Sequence, residues 1–352
     1  MNILITANMG PGTLQAKVEP LSRCKQIQKI YFARKNTFET INKTEYLILP
    51  KLCKYSIFNL LFTPFYLTYY IFYYKIDLII SYHMIPHAFF AYFAHLITRK
   101  PFIVCQTGLY VQKYAEKNKI FSKIIMHILS KALFVNVPGK QSKNFWKNLG
   151  LNNHKINILH STINTEYFIP QSKDYKYDFI FTGRLHPIKN IDKILLAFSK
   201  VKNKLKNQKM AIVGSGIMLE KLQKTAIKLN ISENVDFLGF HKDIKLFLDK
   251  SKFFIMASKS EALPCALMEA MSNGNVPIST NVGNIKDIVQ NEVSGFLINS
   301  NEEIDQIMLK ALSITDDTYR DMSARARQII IDNYSYNIAT NKWSKIMKIV
   351  NE

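Results

Sequence analysis

The chain alternates short, almost wholly apolar runs with longer stretches in which apolar residues recur every three or four positions. In the first half the short runs are NILITA (2–7), KIYFAR (29–34), YLIL (46–49), DLIISYH (77–83), PFIVCQT (101–107) and ALFVNV (132–137). Such runs, with little polar alternation, predict strands covered on both faces. Stretches such as PHAFFAYFAHLIT (86–98) lie between them with helical spacing. The alternation of strand and helix predicts an α/β fold built on a parallel, doubly wound sheet.

The pattern starts again after about residue 165. YDFIFTG (177–183), KMAIVG (209–214), VDFLG (235–239), FFIMAS (253–258) and VPISTN (276–281) are further strands. NIDKILLAFSKVKNKL (190–205) is a helix with Ile191, Ile194, Leu195, Phe198 and Val201 on one face. Residues 163–177 are polar, contain a proline and lack a period, so they read as a linker. The expected organisation is two α/β domains in tandem, 1–165 and 166–335.

One stretch complicates this picture. YSIFNLLFTPFYLTYYIFYY (55–74) carries no charge and is long enough to span a bilayer. Six tyrosines, Asn59 and a central Pro64 argue against that, since tyrosine prefers the membrane interface. The expectation is a helix of the first domain, either buried or lying on a membrane surface.

Charge adds an asymmetry. The chain has 352 residues and a formal net charge of +21. Residues 1–165 hold 21 Lys and Arg against 5 Asp and Glu, and the remainder is nearly balanced, 26 against 21. A basic first half suggests an anionic partner, either nucleic acid or an anionic membrane surface. No recognised nucleic-acid motif accompanies the charge, so no specific nucleic acid is expected. Four scattered cysteines, Cys24, Cys53, Cys105 and Cys265, fit neither a disulfide framework nor a zinc site. MNILITANMG has no basic segment followed by an apolar one, so no secretory signal is read and a cytoplasmic protein is expected.

The chemistry concentrates in SKSEALPCALMEAMSNG (258–274). FFIMAS reads as a buried strand, Pro264 as the start of a helix and Gly274 as its C-terminal stop. The helix N-terminus then faces the carboxyl end of a parallel strand, where open α/β sheets bind ligands, and the backbone at 263–266 forms an anion site. Glu261 precedes the helix and Glu269 lies in its second turn. Taken alone, Glu261 reads more readily as a helix cap and Glu269 as a solvated surface side chain; the cations and glycines of the neighbouring loops favour a site. Cys265 at the helix start reads mainly as a small packing residue. FTGRLHPIKN places Arg184 and Lys189 after another strand, where two cations can neutralise a diphosphate. AIVGSG places Gly214 and Gly216 in a third such loop.

TGRLHPIKNIDKILLAF, AIVGSG, VDFLGF and SEALPCALMEAMSNG with VPISTNVGNIKDIVQNEVSGFLI, in this order over about residues 155–300, resemble the retaining glycosyltransferases of family 4, the glycosyl transferases group 1. The resemblance implies a GT-B fold: two Rossmann-like domains facing a central cleft, with a last helix (336–352) crossing back onto the first. It implies that Arg184 and Lys189 hold the diphosphate of a UDP- or GDP-sugar, that Glu269 binds the ribose hydroxyls and that Glu261 contacts the transferred sugar. Gly183, Gly214, Gly216, Phe240, Leu263, Pro264 and Cys265 would line the donor. The donor is a substrate, so no cofactor is implied, and no Asp-x-Asp metal motif is present. The acceptor would be a glycan or a lipid-linked glycan, in bacterial polysaccharide or lipopolysaccharide synthesis at the inner membrane face. A GT-B-like sugar-nucleotide epimerase is the alternative.

The first domain matches less closely. Gly10 and Gly12 fit either a glycine loop that approaches phosphate or sugar, Gly12 on the donor side and Gly10 on the acceptor side, or an ordinary tight turn. Many relatives carry a histidine after the strand corresponding to PFIVCQTG; here Gln106, Thr107 and Gly108 stand there. His83 and His87 are its candidate substitutes on the acceptor side, although a histidine ending a strand is more often structural.

Overall fold

The computed structural model describes residues 1–34, 41–50, 56–171 and 174–351. Cys53 and Tyr55 fall outside them. The chain divides into a first unit, Met1–Thr162 with Tyr336–Glu352, and a second unit, Ile163–Ser335.

The first unit is built on seven parallel strands: β1 (Asn2–Thr6), β2 (Lys29–Arg34), β3 (Thr44–Ile48), β4 (Leu78–Tyr82), β5 (Phe102–Cys105), β6 (Phe134–Val137) and β7 (Ile156–Ile158), in the order β3-β2-β1-β4-β5-β6-β7. Its first six helices are α1 (Pro11–Ser22), α2 (Ser56–Tyr73), α3 (Phe89–Thr98), α4 (Tyr110–Lys117), α5 (Lys119–Lys131) and α6 (Lys140–Asn148). A parallel sheet buries both faces, so its strands must be apolar on both sides. One face packs Leu4 and Val104 against Leu67, Ile71, Phe90, Ile125 and Trp146 from α2, α3, α5 and α6. The other packs Ile3 and Ile5 against Leu14 and Val18 of α1 and against Trp343 and Met347.

The α2 helix is not buried throughout. Thr63, Leu67 and Ile71 are buried, four residues apart, while Leu61, Phe65, Tyr69 and Tyr73 form an exposed stripe. No helix among the described residues is long and apolar enough to cross a membrane.

The second unit has six parallel strands: β8 (Tyr177–Thr182), β9 (Met210–Val213), β10 (Val235–Gly239), β11 (Ser251–Met256), β12 (Val276–Thr280) and β13 (Phe296–Ile298), in the order β10-β9-β8-β11-β12-β13. Its helices are α7 (Ile191–Lys204), α8 (Leu219–Lys228), α9 (Lys245–Leu248), α10 (Cys265–Ser272), α11 (Ile304–Ser313) and α12 (Asp316–Tyr334). The apolar face expected of α7 is buried in one of the two helix–sheet layers. Met268 and Met271 of α10 and Ile330 of α12 fill the other.

Two strands were absent from the sequence reading, β7 and β13. Each is three residues long and lies at a sheet edge, too short to show a period. The segment read as a linker is held in place. The amide of Ile163 donates to Tyr334 O at 2.9 Å, and Ile163 bridges to Ser335. The Arg327 guanidinium donates to Phe168 O at 2.5 Å and to Thr165 O at 3.3 Å. Its carbonyls are satisfied by a residue about 160 positions away, which local composition cannot show.

The final helix, α13 (Tyr336–Asn351), belongs to the first unit and packs on α1. Thr340 Oγ1 donates to Pro20 O at 3.0 Å. Trp343 is 1% exposed, and truncating such a side chain costs about 3–5 kcal/mol.

Candidate active site

Strand order reverses between β8 and β11, which are neighbours although β9 and β10 intervene in sequence. Ligands of doubly wound sheets bind beyond the strand carboxyl ends at such a point. The loop after β8 carries Arg184 and Lys189; the loop after β11 carries Glu261. The two loops are joined by the Lys259 amide, which donates to Ile188 O at 2.8 Å. Lys189 Nζ donates to the Glu261 carboxylate, and both side chains are largely buried, 17% and 12% exposed. The sequence reading gave Lys189 to the diphosphate and Glu261 to the sugar. In this structure the two side chains pair with each other, so neither charge is left unpaired. Arg184 is exposed and forms no ion pair or side-chain hydrogen bond with the described residues.

The helix α10 opens one residue later than expected. Pro264 is its N-cap and the first helical residue is Cys265. Pro264 has no N–H, so the donors that lack an intrahelical partner are those of Cys265, Ala266 and Leu267. The Leu263 side chain, 6% exposed, is packed with Leu267 and Met271, leaving only its backbone for a ligand. Cys265 is partly exposed. At the other end Gly274 takes φ +83°, as the expected helix stop requires. Glu269 is partly exposed, yet its side chain has no hydrogen bond or ion pair among the described residues. Burial pushes its carboxyl up to about 7.

The glycines of the neighbouring loops have a packing reason. A Cβ on Gly214 would stand 1.9 Å from Gly183 O, and one on Gly216 would stand 2.4 Å from Leu185 O. Both take positive φ, +148° and +154°. The loop after β9 therefore lies directly against the loop after β8. Phe240, at the end of β10, is 75% exposed and offers an open ring face.

The remaining candidates lie in the first unit. Gly10 is the exposed N-cap of α1, and Gly12 lies in its first turn. Nothing stands within 4 Å of a Cβ at either position. The expected glycine loop is thus a helix start, and no close approach within the protein demands glycine. Gln106 is a structural clamp, donating to Gly108 O at 2.7 Å and accepting from Trp146 Nε1 at 2.8 Å. Thr107 and Gly108 are partly exposed beside it. His83 follows β4 with φ +71°, a conformation that is costly for a side chain of this kind. Its Nδ1 bonds Tyr82 O at 3.1 Å, and burial lowers its pKa. His87 Nδ1 meets Thr6 Oγ1 at 2.8 Å. Arg34, buried at the end of β2, is not among the residues singled out from the sequence; a charge closing an apolar strand is its signal.

Residues 163–329 match the family model described as glycosyl transferases group 1. The match spans nearly all of the second unit, Ile163–Ser335. A glycosyltransferase of Haemophilus influenzae is 26% identical over 208 residues, 57% of this chain and 58% of that protein. An Escherichia coli UDP-Gal:alpha-D-GlcNAc-diphosphoundecaprenol alpha-1,3-galactosyltransferase is 29% identical over 205 residues, 54% of this chain and 53% of that one. The chain thus spans just over half the length of these curated relatives. The crystal structure of Anabaena HepE in complex with UDP superposes with TM-score 0.83 at 14% identity, covering 99% of this chain and 100% of that one. A Thermosynechococcus elongatus sucrose-phosphate synthase gives 0.79 at 14% identity, with 99% of each chain covered. The chain thus has the two Rossmann-like units of the GT-B fold.

Proposed function

We propose that this protein transfers a sugar from a UDP- or GDP-sugar to a glycan or lipid-linked acceptor, with retention of configuration and without a metal ion, in bacterial cell-surface polysaccharide or lipopolysaccharide synthesis. The carrying observation is the Lys189–Glu261 pair at the switch point, beside an exposed Arg184 and the N-terminus of α10. When the bond from sugar C1 to the diphosphate oxygen breaks, negative charge grows on the leaving group. Arg184, Lys189 and the α10 N–H groups stabilise it. Positive charge grows at C1, and Glu261, released by Lys189 as the diphosphate takes that cation, stabilises it. Glu269 receives the ribose hydroxyls, and Phe240 stacks on the base. The UDP named in the HepE complex and the diphosphoundecaprenol substrate of the E. coli relative support this assignment of donor and acceptor.

The basic balance of the first half and the exposed aromatic stripe of α2 support a place on the cytoplasmic face of an anionic membrane. The test is a thermal-shift panel of nucleoside diphosphates and nucleotide-sugars, with transfer assays on two variants. Glu261→Gln is expected to abolish transfer and keep nucleotide affinity within about threefold. Glu269→Ala is expected to weaken nucleotide binding about tenfold, roughly 1.4 kcal/mol. The reverse pattern would overturn the assignment, and sugar-nucleotide turnover without acceptor would favour the epimerase.

A further inference from the structure

The first unit has a switch point of its own. Its chain runs outward from β1 to β3 and resumes on the other side of β1 at β4. A cavity of about 360 Å³ opens there, beyond the carboxyl ends of β1, β2, β3 and β4. Arg34, His83, His87, Asn8, Asn59 and Thr63 supply its polar lining, and no acid is among the described residues that line it.

Arg34 is preorganised. It is 7% exposed, Nη2 donates to Met9 O at 3.2 Å, and the guanidinium lies 5.4 Å from the Phe32 ring centroid. His87 is held by Thr6, and His83 by the carbonyl of Tyr82. A guanidinium, two imidazoles, two amides and a hydroxyl around one hollow match a phosphate, which accepts hydrogen bonds from several directions. A glycan carries hydroxyls and would be better met by carboxylates, which the described lining lacks.

The cavity also shares a helix with the exposed apolar stripe. Asn59 and Thr63 of α2 line it, while Phe62, Phe65 and Tyr69 of the same helix are exposed at 39%, 59% and 56%. The Phe58 and Phe62 rings stack with centroids 6.0 Å apart. An amphiphile with its anionic head in the cavity would have an apolar surface for its chain along α2.

We infer that this cavity binds the phosphate group of a lipid-anchored substrate, with the acyl or prenyl chain leaving along α2. The inference rests on the lipid-linked acceptor reading and adds the group recognised and the residues that recognise it. The site is formed entirely within the first unit.

Calorimetric titration of the full chain tests it, with decyl phosphate below its micellar concentration as the probe. Decyl maltoside, which has a neutral head, and inorganic phosphate are the comparison ligands. Decyl phosphate is expected to bind at least tenfold more tightly than either. Arg34→Gln and His87→Gln are each expected to weaken it at least fivefold, while the thermal shift given by UDP or GDP stays unchanged. Arg34→Lys, which keeps the charge, serves if Arg34→Gln fails to fold, and is expected to bind within threefold of the parent. Equal binding of decyl maltoside, inorganic phosphate binding as tightly as decyl phosphate, or indifference to both Arg34→Gln and His87→Gln would each overturn the site. Loss of the UDP and GDP shifts in the unmodified chain would instead count against the donor assignment.

Discussion

At the residue scale the sharpest feature is Glu269, a carboxyl without a partner among the described residues, pushed up to about 7 by burial. The folded state favours its protonated form, so the contribution to stability is fully present below the ordinary glutamate range. It is lost as pH rises through about 7. Between about pH 5 and 8 the ionised group is expected to remove up to about 3 kcal/mol. Glu269→Gln should therefore raise Tm at pH 8 and leave it nearly unchanged at pH 5, by scanning calorimetry. An equal change at both pH values would show that the carboxyl is not desolvated. Glu269 and Arg184 were placed correctly on their elements from the sequence, because a strand end and a helix start are local patterns. The pairing of Lys189 with Glu261 was not, because the partners lie 72 positions apart and meet only when β8 and β11 become neighbours.

At the element scale, eleven apolar runs read as strands are strands, since a covered parallel strand announces itself by the absence of polar positions. The α2 helix was harder. Its composition is apolar nearly throughout, so no polar face marks which side meets the sheet. Only the packing separates Thr63, Leu67 and Ile71 from the exposed stripe. That stripe gives a direct prediction. Leu61→Ser, Phe65→Ser and Tyr69→Ser combined should leave Tm within a few degrees, because these side chains are 55%, 59% and 56% exposed. Co-sedimentation with anionic vesicles should fall at least tenfold. Unchanged sedimentation would remove α2 from the membrane-binding surface and leave the basic charge alone to account for any attraction.

At the scale of the whole molecule, the second unit is an insertion in the first. Its ends are adjacent: Ile163 bridges to Ser335, and the chain enters and leaves at that bridge. Its two core layers draw only on its own residues. Residues 163–335 expressed alone should therefore fold cooperatively and bind UDP or GDP within about fivefold of the full chain, measured by thermal shift. Failure to bind would mean that the donor needs residues of the first unit. The packing of α13 carries a different consequence. The layer holding Ile3 and Ile5 also needs Trp343 and Met347, which leave the ribosome only after all of Ile163–Ser335 has been made. β1 therefore waits for a helix that is made only after the whole of the second unit, so the unit entered first is the later one to finish folding.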